Sequence, residues 1–183
     1  SNLRRRVSSY FHPSDESPEK LDKLRHDAVS LVTYPCGSEL ESLLYEYRLI
    51  RKHSPVLNTQ VHIAERKGTF RPVDDCVVLL PHADPDKRVS IWFRRDQKIQ
   101  LRALRTDLTD CGGLEGELQR FFYSEKLPSA DSDFPEQEIA HRWLRRHLDG
   151  LAVVPASRMA SGAEILEGVR SHCRQMDRAG GTG

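Results

Sequence analysis

Two alternating runs around a two-residue break constrain this chain more than anything else in it. Val89-Ser-Ile-Trp-Phe-Arg-Arg and Lys98-Ile-Gln-Leu-Arg-Ala-Leu are separated only by Asp96 and Gln97. A connection that short joins antiparallel neighbours, so a hairpin is predicted. Upstream, Cys76-Val-Val-Leu-Leu-Pro81 is a compact apolar run of strand length, and residues 151–155 read as a final short strand. Between and after these, apolar residues recur at helical spacing: Leu114, Leu118, Phe121 and Phe122, then Ile139, Ala140, Trp143, Leu144 and His147, then residues 163–176. A small antiparallel sheet flanked by helices makes the chain α+β. The Gly-rich tail from about residue 178 is expected to be disordered.

The N-terminal third follows a different plan. Leu3, Val7, Tyr10 and Phe11 give residues 2–11 one packing side. Ser17 and Pro18 then open a second helix that runs to about His26. Residues 28–35 alternate apolar and hydroxyl side chains and end at Pro35, which predicts a strand. Ser38 can cap a third helix with Leu40, Leu43, Leu44, Tyr47 and Ile50 as its apolar stripe, and Pro55 ends the run behind Lys52 and His53. Glu46 lies on the shoulder of that stripe beside Leu43 and Ile50, which suggests a partly buried acid. Charged loop sequence follows Asn58, so a boundary is placed near Arg71, dividing the chain into units 1–71 and 72–183.

With 183 residues the chain can bury a core, and 38% apolar with 30% charged residues fits a folded soluble protein. No apolar run approaches the roughly 20 residues that cross a bilayer, and Arg4, Arg5 and Arg6 are not followed by a signal-peptide core. A cytoplasmic protein without membrane contact is expected. Cys36, Cys76, Cys111 and Cys173 form no C-x-x-C pair, which predicts reduced, mostly packed thiols. The net charge of +1 hides an uneven distribution. Residues 1–71 hold 12 Lys or Arg against 9 Asp or Glu, and the remainder holds 16 against 18, so the N-terminal part is the one that leans towards a polyanion.

Asn2-Leu-Arg-Arg-Arg-Val-Ser-Ser-Tyr-Phe11, Glu41-Ser-Leu-Leu-Tyr-Glu46 and Pro55-Val-Leu-Asn58 together resemble GIY-YIG nucleases of the UvrC-type excinuclease branch. The likeness covers about the first third of the chain. It implies a partial GIY-YIG domain, in which a small antiparallel sheet carries a Tyr pair on its first strands. An Arg and a Tyr on a helix, a metal-binding Glu on a later helix and an Asn beyond it complete the family site. In this sequence those positions are Arg6, Tyr10, Glu46 and Asn58.

What the resemblance implies chemically is metal-dependent hydrolysis of a DNA phosphodiester, with one Mg²⁺ or Mn²⁺ held by Glu46. Arg6 and Tyr10 are four apart, share a helix face and can address one phosphate. The Gly-Ile-Tyr and Tyr-Ile-Gly strands, whose tyrosines would accept the proton of the attacking water, should lie before Ser1, so the chain by itself is expected to lack strong activity. DNA is the expected partner, together with other repair or replication proteins. Residues 72–183 do not resemble the further modules of full UvrC-type excinucleases, which favours a shorter homologue or a fusion, and they are assigned only as an accessory α+β unit. The alternative is a noncatalytic nucleic-acid-binding or protein-interaction module on the same scaffold.

Other constellations carry less. The eight histidines form no His-x-x-x-His or His-Glu-x-x-His pair, and neither Gly112-Gly113 nor Gly180-Gly181 has the setting of a phosphate loop. Trp92 and Phe93 beside Arg94, Arg95, Lys98, Arg102 and Arg105 could stack bases and hold phosphates. A half-buried hairpin with wet arginines is the favoured reading. Trp143 is expected to anchor a basic-edged helix.

Overall fold

The computed structural model describes residues 3–9, 18–55, 73–95, 98–109, 111–124 and 134–180. Four strands form one antiparallel sheet in the order β3-β2-β1-β4, with β1 at Cys76–Pro81, β2 at Lys87–Phe93, β3 at Ile99–Arg105 and β4 at Ala152–Val154. The expected hairpin is β2–β3, in register from Lys87 opposite Arg105 to Phe93 opposite Ile99. Beyond that ladder the Arg94 N–H donates to the Lys98 carbonyl across the turn.

Strand residues alternate between two apolar cores, one on each face of the sheet. On the first face Val77, Leu79, Trp92 and Val154 pack against α4 (Leu114–Tyr123) and α6 (Gly162–Gly180). Val78, Leu80, Ile91 and Phe93 look the other way, into a core completed by Ala140 and Leu144 of α5 (Phe134–His147) and by Leu40 and Leu44 of α3 (Glu39–His53). Helices thus cover both faces, which explains why Trp92 and Phe93 are both buried and neither is a base-stacking platform. The hairpin arginines are engaged as well. Arg94 donates to the carbonyls of Phe121 and Ser124, Arg95 pairs with Asp75, Arg102 with Glu117 and Arg105 with Asp107.

Two shorter helices precede α3, namely α1 (Leu3–Ser9) and α2 (Pro18–Asp27). The strand expected at residues 28–35 does not form. That segment is irregular and exposed, with Val29 97% accessible and Leu31, Val32 and Tyr34 also open to solvent. Its alternation is of strand type, yet no described strand lies beside it, and an isolated strand leaves its backbone groups without a ladder. The boundary expected near Arg71 lies outside the described residues. At the other end α6 continues past residue 178 to Gly180, beyond the point where the tail was expected to begin.

Candidate metal-ligand helix and its mounting

Local chemistry sets the start of α3. Ser38 is extended at φ −141° and its hydroxyl accepts from the Glu41 N–H at 3.2 Å, while the Glu41 carboxylate reaches back to accept from the Gly37 N–H at 2.8 Å. This is the reciprocal logic of a capping box, shifted by one residue. The helix closes at Ser54, whose left-handed backbone (φ 41°) lets its N–H return to the Ile50 carbonyl at 2.7 Å.

One side of α3 is fixed to the rest of the molecule. Leu40 and Leu44 are fully buried in the core beneath the sheet. The Arg48 guanidinium donates to Glu136 of α5, with Nε 2.6 Å and Nη2 2.5 Å from the same oxygen. At the opposite end Trp143 Nε1 donates to Glu39 at 2.8 Å, and His147, stacked on Trp143 at 4.3 Å between ring centroids, lies 3.9 Å from the same carboxylate. These contacts run in opposite chain order, so α3 and α5 are antiparallel. Trp143 is therefore an anchor, as the sequence suggested, but to a helix rather than deep in the core.

Glu46 lies off the Leu40–Leu44–Arg48 edge, on the azimuth that Glu39 occupies two turns earlier. At about 100° per residue it sits roughly 200° around the helix from Leu44, and it is exposed. The partial burial expected from its place on the apolar shoulder is not found, because the sheet takes the Leu40–Leu44 edge of the stripe and turns Glu46 outward. No hydrogen bond or ion pair joins Glu46 to another described residue. The positions one turn away are Ser42, Leu43, Leu49 and Ile50, none of them a cation. The common fate of a surface acid, an i,i+4 pair with Lys or Arg, is closed to it. Beside it, Tyr45 stacks on Tyr34 with centroids 6.4 Å apart.

The other three site positions are less fully placed. Arg6 lies in α1, with its side chain outside the described part, and Tyr10 and Asn58 fall outside the described residues altogether. Geometry is therefore available for Glu46 alone among the four. Among the described residues no three His, Cys, Asp or Glu side chains converge where they could share a metal ion, so a protein-built cage of the zinc type is not on offer there. No described helix is long and apolar enough to cross a membrane. The Arg48–Glu136 and Glu39–Trp143 links, 88 and 104 residues apart in sequence, had no signal in the sequence at all.

The family model of the UvrC-like GIY-YIG domain matches residues 1–59. The chain is similar to the UvrABC system protein C of Chlamydia pneumoniae, 39% identical over 57 residues, which is 31% of this chain and 10% of that protein. It is similar also to the UvrABC system protein C of Nitratidesulfovibrio vulgaris, 41% identical over 70 residues, covering 38% of this chain and 10% of the relative. The protein of the same name from Methanococcus maripaludis is 42% identical over 59 residues, covering 31% and 11%. The chain thus spans about a tenth of the length of the curated relatives it matches. No solved structure matches it. Residues 1–59 are accordingly a segment of the UvrC-type branch of GIY-YIG domains.

Proposed function

We propose that residues 1–59 form the metal-holding side of a DNA endonuclease site that hydrolyses a phosphodiester, in a protein of DNA repair. The observation that carries this is Glu46: an exposed carboxylate without a described partner, on a helix that lies inside the family match. A carboxylate open to solvent, with no ion pair to another described residue, fits a hard divalent cation such as Mg²⁺ or Mn²⁺ that keeps most of its waters. Such an ion, when bound, polarises the scissile phosphate and stabilises the departing oxygen.

The chain's own residues would divide the remaining work. Glu46 holds the cation, and Arg6 neutralises charge developing on the phosphoryl oxygens. Tyr10, four residues on from Arg6 in sequence, orients the same phosphate, and Asn58 completes the set. Proton acceptance falls to the tyrosine-bearing strands that the family carries ahead of the position matching Arg6. The exposed apolar run at Val29, Leu31 and Val32 supports that assembly, since it is strand-like sequence with no described strand beside it. DNA is the substrate, and repair or replication proteins are the partners.

The test is plasmid nicking with Mg²⁺ or Mn²⁺ by this chain and by a version extended upstream. The extended protein is expected to nick, and Glu46→Ala to abolish nicking. Failure of the extended protein to nick, with Glu46→Ala changing nothing measurable, would leave the noncatalytic binding module as the reading.

A further inference from the structure

We propose that residues 73–180 are the platform that aims Glu46, with Arg48 and Glu136 as its positioning pair. The proposal rests on the reading of Glu46 as the metal ligand, and it gives the accessory part of the chain a role in the same site.

Along the body of α3 the described anchors Leu40, Leu44 and Arg48 lie about 120° or more around the helix from Glu46, while Glu39, two turns earlier on Glu46's own side, fixes the start of the helix. Leu40 and Leu44 sink into the core formed by the sheet and α5, and Arg48 is tied to Glu136. Glu39 is tied to Trp143 near the far end of α5. At the entry to α3, Gly37 lies so close to the end of β1 that a Cβ there would be 2.4 Å from the Pro81 carbonyl oxygen. A helix held at its start and along one edge as far as Arg48 resists sliding and rolling, and two turns past Glu39 it presents Glu46 to solvent. Reacting groups need to be held within about 0.5 Å of their working position. A misplacement of about 1 Å costs on the order of a hundredfold in rate.

Glu136 shows that the mounting is specific. Its side chain is only 2% exposed, and a guanidinium from the nuclease segment, that of Arg48, reaches it. Its place in the first turn of α5 adds the favourable end of the helix dipole. α5 is thus built to receive α3.

Two readouts test the proposal. In the metal-free 183-residue chain, amide exchange along α3 should speed up at least about tenfold in Glu136→Gln. Trp143→Phe, which removes the donor to Glu39 together with part of the ring stacked on His147, should do the same near the start of α3, and amides of α6 and β2 should keep their protection in both. In the upstream-extended protein both variants should lower kcat for nicking about tenfold with KM for DNA unchanged, and Glu136→Asp should restore part of the loss. Cys173→Ala, on the opposite face of the sheet, should lower stability and leave kcat alone. Unchanged α3 exchange, exchange that rises equally across the sheet, or faster α3 exchange with unchanged kcat would each overturn the platform. Normal nicking by Glu46→Ala would overturn it too, by removing the residue to be aimed; that failure is recognised because the Glu136→Gln effect on α3 exchange would persist.

Discussion

Arg48 on α3 and Glu136 on α5 meet through Nε and one carboxylate oxygen at 2.6 Å, across 88 residues of sequence. The carboxylate is buried and the guanidinium is partly exposed, so the pair is asymmetric. Arg48→Met leaves the burial and removes this cation; the loss is about 3–5 kcal/mol where a fully buried ion pair is broken and smaller here, because the guanidinium is partly exposed. Glu136→Gln costs less because no unneutralised charge is left buried, although the neutral amide holds Arg48 less firmly than the carboxylate does. Urea unfolding should show the larger fall in midpoint for Arg48→Met, with little change in slope for either variant.

Gly37 is small because the backbone of β1 is in the way. A Cβ at this position would stand 2.4 Å from both the Pro81 carbonyl oxygen and the His82 carbonyl carbon. Neither is the free end of a flexible side chain, so relief must come from moving α3 off the sheet. Gly37→Ala should therefore destabilise by about 1–3 kcal/mol, the usual range for overpacking. Thermal unfolding compared with Gly112→Ala, where a Cβ meets nothing within 4 Å, provides the check.

These two contacts mark where sequence reading ends. The sheet and the helices after residue 73 were legible because their periods are local: the alternation through Ile91, Trp92 and Phe93, and the helical spacing of Leu114, Leu118, Phe121 and Phe122. Ser38 was legible as a cap for the same reason. The strand expected at residues 28–35 failed because alternation records a readiness to pair and says nothing about whether a neighbour is present. Glu46 could be singled out only through company with Arg6, Tyr10 and Asn58. That it faces outward depends on which edge of the Leu40 to Ile50 stripe the sheet occupies, and a pairing across 88 residues decides that.

Glu46 itself should contribute almost nothing to folding. It is exposed and makes no ion pair with a described residue, so Glu46→Ala should change unfolding free energy by less than about 0.5 kcal/mol. A matched urea titration of the variant and the parent reads this directly. A larger loss would mean that the carboxylate is held within the fold and is not available to a cation.

On the opposite face of the sheet, Ser90 and Trp92 form a buried polar link, with the indole N–H donating to the Ser90 hydroxyl at 2.8 Å. Both residues are buried among apolar neighbours. Ser90→Ala leaves the indole donor without that acceptor, at a cost of about 1–3 kcal/mol. Trp92→Phe combined with Ser90→Ala removes donor and acceptor together. Its destabilisation should fall short of the sum of the two single changes, which a double-mutant cycle of unfolding free energies measures.

Acid should loosen the same assembly through His141. The ring is fully buried against Phe93, and its Nδ1 accepts from the Val73 N–H at 3.2 Å, which requires a lone pair on that nitrogen. Burial, and then the nearby Arg145 charge, lower its pKa to about 4, below the ordinary histidine value of 6.5. The unfolded chain therefore binds a proton at higher pH than the folded one does, and stability rises with pH through this window. The contribution is complete above about pH 6.5 and is lost progressively as pH falls towards 4, amounting to a few kcal/mol. His141→Phe removes the titration together with the bond to Val73. Unfolding free energies measured between about pH 4 and 7 should give a curve for this variant that is flatter than the parent's, and a parallel curve would show that His141 does not carry the effect.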